Sequence, residues 1–150
     1  MNTATGTQLI ESFLRTRQVR YFRGHHDDEY FFLVSAYHGR LHVHLQPCGP
    51  RGAAVRISIT AERYYPAEQR ARVADLVEQW NNADPQVTAA VFESSDPRLV
   101  GVTAERRYRS GRAEFGPFVD QAVQSAIDLF GRLRVLAASP SDDTHLLDAG

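Results

Sequence analysis

The sequence predicts an α+β fold: a mostly antiparallel sheet of five to six strands with helices packed on it, in the order α-β-β-β-β-α-β-β-α. Three observations carry this prediction. Apolar residues alternate with period two in closely spaced runs, first across residues 19–60 and again across 87–106. Three other stretches repeat their apolar residues at helical spacing. Strands come in sets linked by short turns, whereas a parallel nucleotide-binding sheet needs a helix between each pair.

The first element is a helix, with Leu9, Ile10, Phe13 and Leu14 on one face, an N-cap within Thr5–Thr7 and an end near Arg17. Val19 and Tyr21 alternate with Arg20 and Phe22 as a first strand, and residues 24–28 form a polar turn. Residues 29–37 are apolar on both faces, which predicts a central strand. His38-Gly39 occupies a hairpin turn that needs positive φ. The next strand puts Leu41, Val43 and Leu45 on one face and leaves His42 and His44 on the other. After a loop over residues 47–52, Val55, Ile57 and Ile59 repeat the pattern, with Arg56, Ser58 and Thr60 on the open face.

A second helix starts at Pro66, buries Val73, Leu76, Val77 and Trp80, and stops at Asn81-Asn82 before Pro85. Strands over 87–93 and 99–106 follow, joined by the turn Ser94-Ser95-Asp96-Pro97. The last helix begins near Gly116-Pro117 and faces the core with Phe118, Val119, Ala122, Ala126, Phe130 and Leu133. Residues 1–138 read as a single domain, and 139–150, opening Ser139-Pro140-Ser141-Asp142-Asp143-Thr144, as a flexible acidic tail.

Composition narrows the function classes. The 150 residues are 43% hydrophobic and 23% charged, an ordinary globular balance. All 17 basic residues are arginine, and with 18 acids the net charge is −1, so no global field draws the chain to nucleic acid. One cysteine, Cys48, excludes an internal disulfide and any cysteine-based zinc finger. No apolar run approaches the length that crosses a bilayer, and Met1–Thr5 shows no secretory signal, so a cytoplasmic protein with no membrane partner is expected.

The run Val77-Glu78-Gln79-Trp80-Asn81-Asn82 after an amphipathic helix, the strand pair over 87–106 with Gly101-Val102-Thr103-Ala104-Glu105, and a long helix containing Asp128-Leu129-Phe130 together resemble the YbjN family. The resemblance covers about residues 5–136 and rests on Trp80-Asn81 and the element order. It implies a fold like that of the type III secretion chaperones. It also implies a chaperone-like or regulatory role, and it brings no catalytic residues with it.

Five of the six histidines lie between positions 25 and 44, and His42 and His44 share a strand face about 6–7 Å apart. With Asp27, Asp28 and Glu29 nearby, a small-ligand or metal-binding domain is the alternative function. No HExxH, zinc-finger or calcium-loop spacing supports it, so an open sheet face that tolerates histidine and a solvated acidic turn are the simpler readings. Arg106, Arg107, Arg109 and Arg112 around Tyr108 make the densest basic cluster, read as a solvated loop edge rather than a nucleic-acid site. Cys48 sits in Pro47-Cys48-Gly49-Pro50 with no base or helix start to activate it, and no nucleophile elbow or phosphate loop is present. The sequence therefore predicts a non-enzymatic protein-binding module without cofactor, metal or catalytic residues. Its partner is a protein, and it forms a homodimer through a sheet face or edge left open.

Overall fold

The computed structural model describes residues 4–25, 28–36, 39–109, 111 and 113–138. The acidic tail over 139–150, His26, Asp27, Tyr37, His38 and Arg112 lie outside the described residues.

Helix α1 spans Gly6–Thr16 and starts with a capping box: the Gln8 backbone N–H donates to the Thr5 hydroxyl, and the Gln8 side chain accepts from the Thr5 N–H. A seven-stranded antiparallel sheet follows, interrupted by one helix. Its strands are β1 (Phe22–Arg23), β2 (Tyr30–Ala36), β3 (Gly39–Cys48), β4 (Ala54–Ala61), β5 (Tyr65–Pro66), β6 (Thr88–Glu93) and β7 (Leu99–Arg109). Helix α2 (Arg70–Asn82) precedes β6, and α3 (Phe115–Ala138) closes the domain. The order across the sheet is β1-β2-β3-β4-β7, with β5 beside β4 on one edge of β7 and β6 on its other edge.

All three helices lie on one face. Rows that follow the strand register, such as Phe32–Val43–Ile59–Ala104–Ala89, point into them and are buried. Against these rows α1 places Ile10, Phe13 and Leu14, α2 places Val73, Val77 and Trp80, and α3 places Val119, Ala122, Ala126, Leu129 and Leu133. One core results, held by burial of alternate residues.

The predicted element order holds, and several details differ: the first strand is only Phe22–Arg23, beyond most of the Val19–Phe22 alternation. The seventh strand, β5, is two residues long and ends on Pro66, so it has no periodic signal. Pro66 therefore closes a strand, and a 3-10 turn over Ala67–Gln69 leads into α2. Strand β2 is not central: β1 pairs only its Tyr30 and Phe31, and the rest of its outer edge meets no strand among the described residues. Its second apolar face, Phe31 and Leu33, belongs to the open side of the sheet. Strand β3 runs through Pro47, which pairs with Val55 of β4 beyond the point where β2 ends opposite Leu45. A proline fits there because only one edge of β3 is paired.

Strand β7 extends to Arg109, so Arg106, Arg107 and Arg109 of the basic cluster lie on a strand and not a loop. Alternation divides it. Tyr108 turns inward and donates its hydroxyl to the Ala113 carbonyl, while Arg106 lies 3.8 Å over the Phe118 ring, desolvated enough to lower its pKa. Arg107 pairs in register with Arg56 on the opposite face.

Candidate binding surface

Helices cover one face of the sheet, and the other carries two cross-strand rows. One runs Phe31–His44–Ser58–Glu105–Thr88, the other Leu33–His42–Thr60–Thr103–Ala90. Phe22 extends the first row at the β1 end and is 58% exposed, and Leu33 in the second is 41% exposed. At the far end Phe92 folds over Gly101, its register partner, and Tyr64 meets the Phe92 ring edge-on at 5.8 Å. A Cβ on Gly101 would overlap the Phe92 ring, so the glycine serves this close approach.

The register explains the two histidines. His44 stacks on Phe31 with ring centroids 4.5 Å apart and planes within 8°. Its Nε2 is buried and has no hydrogen-bond partner among the described residues. Burial pushes the His44 pKa down, the charge of Glu29 opposes this, and Arg56 adds to it. A neutral ring stacked on an aromatic follows. His42 faces a different neighbour: its Nε2 lies 3.6 Å from the Glu62 carboxylate, which also holds Arg40 at 2.9 Å.

The sequence therefore placed His42 and His44 on one open face, and the structure gives them separate surroundings. Among the described residues no group of three or more His, Cys, Asp or Glu side chains is disposed to hold a metal. Of the acidic turn, Glu29 acts on His44, Asp28 is exposed, and Asp27 lies outside the described residues. Cys48 is half-buried. The face carries charges of both signs, with Arg56 3.3 Å from Glu105 across the β4–β7 pair.

Trp80-Asn81, the most distinctive pair in the sequence, performs a structural task. The Trp80 indole N–H donates to the Val87 carbonyl at 2.9 Å. The Asn81 side chain accepts from the Ala89 N–H at 2.8 Å and donates to the Ala89 carbonyl at 2.9 Å. Asn81 so pairs with β6 as a neighbouring strand would, blunting the edge of the sheet.

No helix among the described residues is long and apolar enough to cross a membrane. No family model matches the chain, and no curated protein matches it. Among solved structures it is similar to the crystal structure of YbjN, a candidate transcription regulator from E. coli. The TM-score is 0.59 at 14% sequence identity, over 80% of this chain and 84% of that one. With its helix-first and helix-last order around an antiparallel sheet, the chain has the YbjN-like α+β fold.

Proposed function

We propose that this chain is a non-enzymatic protein-binding module, chaperone-like or regulatory, whose contact surface is the open face of the sheet. The observation that carries the reading is an uncovered face on which Phe22, Phe31, Leu33, Tyr64 and Phe92 stand among charged groups of both signs. Apolar side chains ringed by polar ones are the makeup of a protein contact and too mixed for a dry core. Proteins of this fold include one described as a candidate transcription regulator, which supports a regulatory or binding role.

The first partner is a second copy of the chain. A face bearing both Arg56 and Glu105, and both Arg40 and Glu62, can oppose its own copy across a two-fold axis with unlike charges facing. A protein fits this surface better than nucleic acid, because Arg106 and Arg107 point to opposite sides of the sheet and the net charge is −1. Cytoplasmic residence is part of the same reading, since the lone thiol suits a reducing compartment.

Sedimentation of the wild type against Leu33→Glu tests this. Leu33 is exposed, so the substitution leaves the monomer folded and places a charge in the contact. The wild type should form dimers in the micromolar range and Leu33→Glu should not. Equal association by both would remove the open face as the contact.

A further inference from the structure

Strand β7 outruns β6. The pairing with β6 ends at Thr88 opposite Glu105, while β7 continues to Arg109 and stays paired with β4 along its other side. The direction of the remaining edge follows from alternation. Asn81 bonds both the N–H and the carbonyl of Ala89, so Ala89 turns its backbone away from β7 and Thr88 and Ala90 turn theirs toward it. Their register partners Glu105 and Thr103 therefore face β6, and Arg107, two residues on, aims its N–H and carbonyl out of the same edge. The chain entering β6 is held by the helices: the Val87 N–H donates to the Ser125 hydroxyl, and its carbonyl accepts from Trp80. A groove of about 420 Å³ opens at this place, and its lining includes Thr88, Ala89, Glu105, Arg106 and Arg107.

The side chains around this edge have one dominant sign. Arg107 is on the open face and Arg106 on the helix side, so a strand laid here meets a guanidinium on either face. Arg107 stands directly opposite Arg56, a like-charge pairing that costs stability, and the Glu105 carboxylate is 3.3 Å from Arg56. Arg106 lies over the Phe118 ring with the Gln121 side chain at 3.5 Å, and desolvation lowers its pKa. A carboxylate beside it would favour its charged form. Asn81 blunts the edge of β6; arginines on both faces of β7 instead repel a basic strand or a second copy of β7 and admit an acidic one.

We propose that the edge of β7 beyond β6 takes up an extended acidic segment of a partner protein, which continues the line of β6 by bonding the Arg107 backbone and sets carboxylates beside Arg106 and Arg107. Main-chain bonds give such a strand addition its affinity, and a guanidinium can grip a carboxylate through two parallel hydrogen bonds. The proposal rests on reading the open face as a protein contact, since Thr88, Glu105 and Arg107 belong to the margin of that face.

Fluorescence anisotropy with a short, labelled, end-capped peptide of alternating threonine and glutamate tests it. Whichever face the glutamates take, they meet Arg106 or Arg107. The peptide should bind saturably at one site per chain, at least tenfold tighter than its threonine–lysine counterpart, and should slow hydrogen exchange at the Arg107 amide. A peptide N-methylated at every residue keeps the charge without the donors and should not bind measurably. Arg107→Glu changes an exposed side chain and removes the repulsion with Arg56, so it should fold as the wild type does and weaken the peptide at least tenfold. Leu33→Glu lies on β2, three strands from β7, and should bind the peptide like the wild type, so the open-face dimer and this edge are read separately. No saturable binding, equal binding of the lysine peptide or of an oligothymidylate of equal charge, an unprotected Arg107 amide, or unchanged affinity in Arg107→Glu overturns the proposal.

Discussion

Replacing Asn81 with alanine removes the side chain that stands in for an eighth strand beside β6. Two hydrogen bonds disappear together, the 2.8 Å bond from the Ala89 N–H and the 2.9 Å bond to the Ala89 carbonyl. Each is worth about 0.5–1.5 kcal/mol net, so the loss should be about 1–3 kcal/mol. Ala89 is itself buried, 5% exposed, so water rescues the abandoned groups incompletely and the upper half of that range is expected. For a domain of this size each kcal/mol moves the melting temperature by about 3–5 °C, giving a drop of roughly 6–15 °C. Asn81→Asp is the sharper control. Its carboxylate can still accept from the Ala89 N–H but cannot donate, and it places negative charge against the Ala89 carbonyl. Aspartate should therefore melt well below the wild type despite its near-identical shape. Circular dichroism melts and urea titrations of the three proteins decide the matter. An alanine variant within 1–2 °C of the wild type, on the order of experimental scatter for a shift of ~0.5 kcal/mol, would refute the edge-covering role.

Trp80→Ala should cost about 3–5 kcal/mol through lost packing, and Trp80→Phe about 1–3 kcal/mol through the stranded Val87 carbonyl; both are read by denaturant titration. His42→Ala should change stability by less than about 0.5 kcal/mol, as exposed positions do, whereas His44→Ala loses the stack on Phe31 and should cost about 0.5–1.5 kcal/mol. The folded pKa of His44 is lowered, so the unfolded chain takes up its proton first on acidification. Its contribution is whole above the ordinary histidine pKa and is lost as pH falls through the folded value. Melting temperature should therefore fall less steeply below about pH 6.5 in His44→Gln than in the wild type, and parallel curves would contradict this. Gly131→Ala should raise stability by about 0.5–1 kcal/mol, since the helix gains and a Cβ there meets no other described residue within 4 Å.

Much of this architecture was written into local patterns. Thr5 and Gln8 announce the start of α1, and the alternations Leu41-Val43-Leu45 and Val55-Ile57-Ile59 fix which sides of β3 and β4 are buried. What local pattern cannot carry is a neighbour's identity. Phe31 and Leu33 looked like the second face of a central strand, because an apolar residue on an open face and one in a core read alike. The Arg106–Arg109 stretch hid a strand, because Arg106 lies inward over Phe118 and covers an aromatic with its guanidinium. His42 and His44 were legible as a pair, but their partners, Glu62 and Phe31, are set by cross-strand register. Glu62 lies just beyond the β4 alternation, where no periodic signal marks it.

Hydroxyl-radical footprinting of side chains, at low-micromolar and high-micromolar protein, tests most directly whether the open face is the contact surface. Exposed apolar residues occur on this face, as Phe22 and Leu33, and away from it, as Val135 on α3 at 64% exposure. Concentration should protect Phe22, Leu33 and Phe31 and leave Val135 as reactive as before. Protection at Val135 with none on the sheet, or no protection of either at any concentration, would contradict the account.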